Sequence, residues 1–396
     1  MMKTNEIIEE FGKYVMPNYA RIPVVVARGE GSRVWDADGR SYLDLFPGWG
    51  VSAIGYSHPR VVEAVRAQAG RLMHMPNNFY NELQGRLAQA IVERAFASQC
   101  FFCNSGAEAI EAALKLARLV GGPNGRTDFI TMTGSFHGRT FGAMSATAQG
   151  KYQEPFKPVV PGFHYVPFGD ADAVEAAMSD SVCAVLVEPV QGEGGVNVAP
   201  REYFVRLREI CDAADALLIF DEVQTGCGRT GQWFGYQYVG VEPDAMTLAK
   251  ALGGGFPMGA LVAKTEYAAA LKPGTHASTY GGSPLACAAA SAVFEAIEQE
   301  ELLENVRRMG EHLRRRLEGF VEEFPFVKAA RGVGLMQAME LSVPGAAIVS
   351  RCLERGLIIN CTAGSVIRFL PAYTVSVEEL DEGLNILRSV LAETTD

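Results

Sequence analysis

The sequence predicts an α/β chain in two parts: a large domain on a mostly parallel sheet flanked by helices, and a smaller α+β domain. Three observations carry this. Short apolar runs with almost no polar alternation recur through the middle of the chain: "CFFC" (100–103), "FITMT" (129–133), "AVLVEP" (184–189), "LLIFDE" (217–222) and "GALVAK" (259–264). Helical segments separate them, and strands read this way when helices bury both faces of a parallel sheet. After about residue 295 the texture changes to longer solvent-facing helices among short strands.

Taken in order, "SRVWDADGRSYLDL" (32–45) reads as a hairpin that packs with the smaller domain. Val61, Val65, Ala69 and Leu72 recur at helical spacing, as do Leu83, Leu87 and Ile91. The helix "REYFVRLREICDAADA" (201–216) lies between two of the strands. A long helix then carries Leu303, Val306, Met309, Leu313, Leu317 and Phe320 on one face. "GLMQAMEL", "GLIIN" and "VIRFLP" follow, with a short helix among them. The last helix, with Leu380, Leu384, Leu387 and Leu391, opens on a capping box of Ser376 and Glu379. This reading places the large domain at 51–295, and the smaller one at 1–50 together with 296–396.

A length of 396 residues suits two or three domains, and 48% hydrophobic with 20% charged residues suits a large core. The net charge of −11 argues against nucleic acid and supplies no basic stripe for a membrane surface. Anionic substrates stay open, because a local arginine pair dominates inside a pocket. The acidic "MMKTNEIIEEF" has no apolar core of a signal peptide, and no apolar run approaches the roughly 18 to 20 residues that span a bilayer. Eight cysteines scattered through apolar segments read as reduced thiols of a cytoplasmic protein. Within "CFFC", Cys100 and Cys103 belong to a buried strand, since a redox C-x-x-C starts a helix.

Ligands of open α/β sheets bind at the carboxyl ends of the strands, and four segments converge there. In "FFCNSGAEAIEAALKLAR" (101–118), Ser105 and Glu108 form a capping box and Gly106 bares the first turn. Such a helix start holds a phosphate, or is simply a well-capped helix. In "GSFHGRT" (134–140), Phe136 suits stacking on a flat heterocycle and Arg139 a bidentate carboxylate. The plainer alternatives are a core Phe136, a surface ion pair for Arg139 and a satisfied structural His137.

In "LLIFDEVQTGCGRTG" (217–231), Asp221 ends an apolar strand, where a carboxylate needs a partner such as a cationic ring nitrogen. Gln224 is placed to reach a second polar atom of that ring. A magnesium-binding aspartate is the rival, but no G-x-x-x-x-G-K-[ST] loop accompanies it, and no metal site is expected. In "TLAKALGGGFPMGA" (247–260), Lys250 sits in an apolar, glycine-lined stretch. Desolvation lowers the pKa of such an amine and makes it nucleophilic, the alternative being a snorkelling lysine at a helix end. Together the four fit one ligand, pyridoxal 5′-phosphate: a phosphate at 105–107, a ring against Phe136, a ring nitrogen on Asp221 and an aldehyde on Lys250.

These motifs, with "GEGSRVWDADGRSYLDL", "EPVQGEGG" and "GTHASTYGGSPLACAAA", resemble the class III aminotransferases of fold type I pyridoxal-phosphate enzymes. The likeness covers nearly the whole chain and is greatest to the acetylornithine aminotransferases. It implies that Lys250 carries the cofactor as a Schiff base and Asp221 pairs with the pyridine nitrogen. It also implies that Ser105, Gly106 and Ala107 hold the phosphate, Phe136 stacks on the ring, and Val223 and Gln224 line it. Thr279 would reach the cofactor of a neighbouring copy, in a homodimer with active sites at the interface. Arg139, Ser278 and Arg368 match substrate-contacting positions, and Glu193 matches a glutamate that neutralises that last arginine.

The implied reaction moves the terminal amino group of N2-acetyl-L-ornithine to 2-oxoglutarate by ping-pong kinetics, in arginine biosynthesis. Ala277, Tyr280 and Ser283 stand where the family usually has Gly, Phe and often Asn, and Tyr56 where His is common. Trp49, near the expected substrate entrance, replaces a smaller apolar residue. Succinylornithine, ornithine and 4-aminobutyrate therefore stay open as donors, as do a mutase or decarboxylase on the same fold. A nicotinamide enzyme is excluded, since no G-x-G-x-x-G follows a first strand.

Overall fold

A computed structural model describes residues 4–394. Residues 1–3 and 395–396, which the sequence reading assigns to the smaller domain, lie outside them. A seven-stranded sheet forms the centre, in the order Ser98–Cys103, Gly259–Lys264, Ala245–Leu248, Leu217–Asp221, Val182–Val187, Asp128–Met132 and Phe163–Val166. The pairings from Ala245–Leu248 outward to Phe163–Val166 are parallel. Gly259–Lys264 runs antiparallel to both of its neighbours. The sheet is thus mostly parallel, as the apolar runs predict.

Period-two alternation divides the strand side chains between two cores. Leu217 and Ile219 pack with Ile110, Ala113 and Leu116 of the helix Gly106–Gly121. Leu218 and Phe220 point the other way, toward Phe204 and Leu207 of the helix Arg201–Ala214, with the Phe204 and Phe220 rings 5.8 Å apart. Every residue of Val182–Val187 and Leu217–Asp221 is buried. With both faces covered, those strands show no polar alternation, and this is why they stand out in the sequence.

Two strands escape that signal. Ala245–Leu248 is four residues long and merges into the glycine-rich stretch behind it. Phe163–Val166 is the sheet edge and exposes His164 and Tyr165. Leu72 also departs from its expected place: the helix Pro59–Ala69 ends before it, and Leu72 is exposed.

The segments outside 98–264 build two further four-stranded sheets. One has the order Val327–Val333, Met336–Leu341, Val366–Phe369, Asn360–Thr362, antiparallel throughout. The other contains the expected hairpin, with Arg33–Asp36 against Ser41–Asp44, and adds Leu357–Ile358 in parallel beside Ser41–Asp44. That pairing ties the N-terminal segment to the C-terminal part of the chain. The long helix Leu302–Glu323 buries Val306, Met309, Leu313, Leu317 and Phe320, while Leu303 at its start is only half-buried. The helix Val377–Ala392 opens on the Ser376–Glu379 capping box.

Candidate active site

Loops from the carboxyl ends of five central strands meet around a cavity of about 440 Å³. Its lining includes Ser105, Gly106, Ala107, Phe136, Asp221 and Lys250. The helix Gly106–Gly121 points its first turn there. Ser105 Oγ accepts from the Glu108 N–H at 3.2 Å. The reciprocal half of the expected capping box moves one residue upstream, because the Glu108 carboxylate accepts the Asn104 N–H at 2.6 Å. The N–H groups of Gly106 and Ala107 remain for an anion. A Cβ on Gly106 would lie 3.0 Å from the Val223 side chain, a tight contact that glycine avoids.

Asp221 is 4% exposed and holds three donors. Its Oδ1 accepts from the Val223 N–H and from Thr247 Oγ1, each at 3.0 Å, and its Oδ2 lies 2.7 Å from His137 Nδ1. A carboxylate facing Nδ1 sets the proton on that nitrogen. The His137 ring is fully buried, and Nε2 has no partner among the described residues. His137, expected as a satisfied structural histidine, is bonded to Asp221 through Nδ1, while its Nε2 stays unsatisfied among the described residues.

Lys250 follows the strand Ala245–Leu248 with φ 47, a left-handed conformation that non-glycine residues rarely adopt. Desolvation pushes its amine down to about 8, and the Arg368 charge adds to that, while Glu193, Asp221 and Glu188 oppose it. Its side chain is half-buried and lines the cavity.

Arg368 is fully buried and lies behind Glu193 and Gln224, which line the cavity. Its Nη2 donates to Glu193 Oε1 at 2.7 Å, and its Nη1 to Gln224 Oε1 at 3.4 Å. The Phe46 ring covers the guanidinium at 4.8 Å. Arg139 also lines the cavity, makes no ion pair among the described residues, and lies 4.1 Å from the Tyr152 ring centroid.

Two expected residues lie elsewhere in the single chain. Ser278 and Thr279 line an adjoining cleft with Asn104 and Thr140. Asn104, which lines both hollows, donates to Ser278 Oγ at 3.2 Å.

Glu188 was missed. It is buried on the cavity wall, and desolvation pushes its carboxyl up to about 7. Its oxygens accept from the Phe136 N–H at 3.4 Å and the Gly192 N–H at 3.3 Å, bridging two of the loops. The signal was available: "AVLVEP" runs apolar residues into a carboxylate just as "LLIFDE" does. Asn360, which also touches Arg368, left no comparable mark.

The arrangement combines an open helix start, Phe136 on the cavity wall, a hydrogen-bonded carboxylate, an amine lowered by burial and a buried guanidinium. Comparisons with known proteins give the chain a family. A family model described as aminotransferase class-III matches residues 14–391. An acetylornithine aminotransferase of Caldanaerobacter subterraneus subsp. tengcongensis is 50% identical over 387 residues, covering 96% of this chain and 98% of that one. An N-acetylornithine aminotransferase structure from Stenotrophomonas maltophilia superposes with a TM-score of 0.83 at 38% identity, covering 97% and 98% of the two chains. An ornithine aminotransferase structure from Toxoplasma gondii, with partial occupancy of pyridoxal phosphate at its active site, gives 0.93 at 35% identity, covering 98% and 95%.

Proposed function

The chain belongs to the class-III aminotransferases, and from that membership we propose that it transfers the terminal amino group of N2-acetyl-L-ornithine to 2-oxoglutarate. The products are N-acetylglutamate 5-semialdehyde and L-glutamate, a step of arginine biosynthesis. The enzyme is a transaminase dependent on pyridoxal phosphate.

The residues fit that cofactor. The first turn at Ser105–Ala107 suits its phosphate, Phe136 its ring face, Asp221 its ring nitrogen, and Val223 and Gln224 its edge. Lys250 supplies the amine that attaches it. When bound, the cofactor supplies an aldehyde that takes up amines and a cationic ring that accepts the electron pair of a broken C–H bond. Asp221 holds the countercharge, and His137 holds Asp221 in place through Nδ1–H. The amine of Lys250, neutral above about pH 8, takes a proton from the substrate carbon that bears nitrogen and gives it back on the other side of the transfer.

Two chemically unlike substrates share this site. The donor reacts at a terminal amine with no carboxylate on the reacting carbon, whereas 2-oxoglutarate carries one beside its keto group. The observation that carries our reading is the Arg368–Glu193 ion pair, a guanidinium neutralised by a half-buried side chain. Glu193 covers Arg368 when the donor occupies the site, and yields it to the carboxylate of the acceptor. Arg139, exposed at the cavity, takes the far carboxylate, and Ser278 comes from the adjoining cleft.

We take the active enzyme to be a homodimer. Thr279 and Tyr280 are exposed beside the cavity wall, where Thr279 serves the cofactor of the second copy. We divide the chain at the central sheet, residues 51–295 forming the cofactor-binding part and the rest the smaller part. No helix among the described residues is long and apolar enough to cross a membrane, and all eight cysteines are free, which supports a cytoplasmic setting.

A donor screen with 2-oxoglutarate tests the function. N2-acetylornithine should give the highest kcat/KM among acetylornithine, succinylornithine, ornithine and 4-aminobutyrate. No turnover with acetylornithine, or equal rates with all four, overturns the assignment.

A further inference from the structure

Arg368 is bonded on its other edge by a residue that carries no charge. Asn360 Oδ1 accepts from Arg368 Nε at 3.2 Å and from Nη2 at 3.0 Å. The oxygen must be the atom facing the guanidinium, because arginine has donors only. Asn360 stands directly opposite Arg368 in the hairpin of Asn360–Thr362 with Val366–Phe369, so both side chains emerge on one face. Two residues on, Thr362 shares that face, and its Oγ1 donates to the backbone carbonyl of Glu193 at 2.6 Å. One short strand therefore grips both members of the ion pair, the arginine by its side chain and the glutamate by its backbone.

The consequence follows from charge. When the Glu193 side chain leaves, a fully buried guanidinium keeps only neutral acceptors: Asn360, and Gln224 at 3.4 Å. It stays aimed yet electrically unsatisfied, the state that attracts a carboxylate. A second carboxylate at position 360 would hold Arg368 equally well but neutralise it permanently. We propose that Asn360 is a positioning residue that selects for the dicarboxylate partner, keeping Arg368 in place without cancelling its charge. This rests on the reading of Arg368 as the group that receives the carboxylate of 2-oxoglutarate.

The test uses the holoenzyme with Asn360→Asp and Asn360→Ala. The two half-reactions are followed separately by the cofactor's absorbance, one with N2-acetylornithine and one with 2-oxoglutarate. Binding of glutarate, a dicarboxylate that cannot react, is measured by calorimetry. Asn360→Asp should raise the KM for 2-oxoglutarate and the Kd for glutarate about tenfold or more, with the donor half-reaction within about threefold of wild type. Asn360→Ala should weaken both dicarboxylates in the same direction but less, again sparing the donor, and it carries the test if the aspartate variant does not fold. Parallel losses in both half-reactions, as a purely structural residue would give, overturn the proposal, and so does unchanged glutarate binding. A wild-type enzyme that ignores 2-oxoglutarate and glutarate alike overturns the functional reading as well. A wild type that uses them, beside variants that do so equally, overturns this inference alone.

Discussion

His137 Nδ1 lies 2.7 Å from Asp221 Oδ2, and neither side chain is more than 4% exposed. The two lie 84 residues apart in the chain, and the contact turns a strand-end carboxylate into an oriented one. His137→Phe would leave that oxygen without its donor in a buried site. A charge-assisted hydrogen bond there is worth about 1.5–3 kcal/mol. Equilibrium dialysis should show cofactor affinity reduced about tenfold or more, with little change in far-UV circular dichroism.

Lys250 gives a pH signature. Burial holds its amine at about 8, so it is protonated and unreactive below that pH and free above it. Cofactor attachment to the cofactor-free enzyme, followed by absorbance, should accelerate as pH rises, with a midpoint near 8. An ordinary exposed lysine would place that midpoint near 10.4. Lys250→Ala should bind the cofactor without covalent attachment.

Glu193→Gln keeps a hydrogen-bond acceptor beside Arg368 and removes the countercharge. The buried guanidinium would then lack its countercharge while the donor is bound. The donor half-reaction should slow about tenfold, equivalent to about 1.4 kcal/mol, with the 2-oxoglutarate half-reaction nearly unchanged. Stopped-flow measurement of the two halves separates these outcomes.

Gly259→Ala addresses stability. A Cβ there would strike the Ser105 carbonyl oxygen and come within 2.8 Å of the Ser105 carbonyl carbon, which is backbone and cannot swing aside. Overpacking of this kind destabilises by about 1–3 kcal/mol. The urea midpoint should fall without a change in slope, and cofactor affinity should fall with it, since Ser105 caps the turn that lines the cavity.

Much of this was legible before any tertiary structure. The buried strands announced themselves because helices cover both faces and leave no polar alternation to dilute the signal. Lys250, Asp221 and the turn at Ser105 were legible because each breaks a local rule: an amine among glycines, a carboxylate ending an apolar run, a bared helix start. Glu188 breaks the same rule as Asp221 and was overlooked beside it. Phe163–Val166 was missed because an edge strand has one side open to solvent and reads as mixed polarity.

Asn360 and His137 belong to a different category. Each acts through a partner remote in sequence or across a hairpin: Asn360 through Arg368, and His137 through Asp221. Hydrophobic period and turn chemistry describe what a residue does to its own segment, and say nothing about which loops a parallel sheet brings to one edge. The linear chain determined the class of fold, the cofactor and several residues that line the cavity, because those follow from local composition and spacing. Tertiary structure decided the partners of those charges: which neutral amide steadies Arg368, and which imidazole orients Asp221. Such pairings depend on distances of about 3 Å between atoms that only folding brings together.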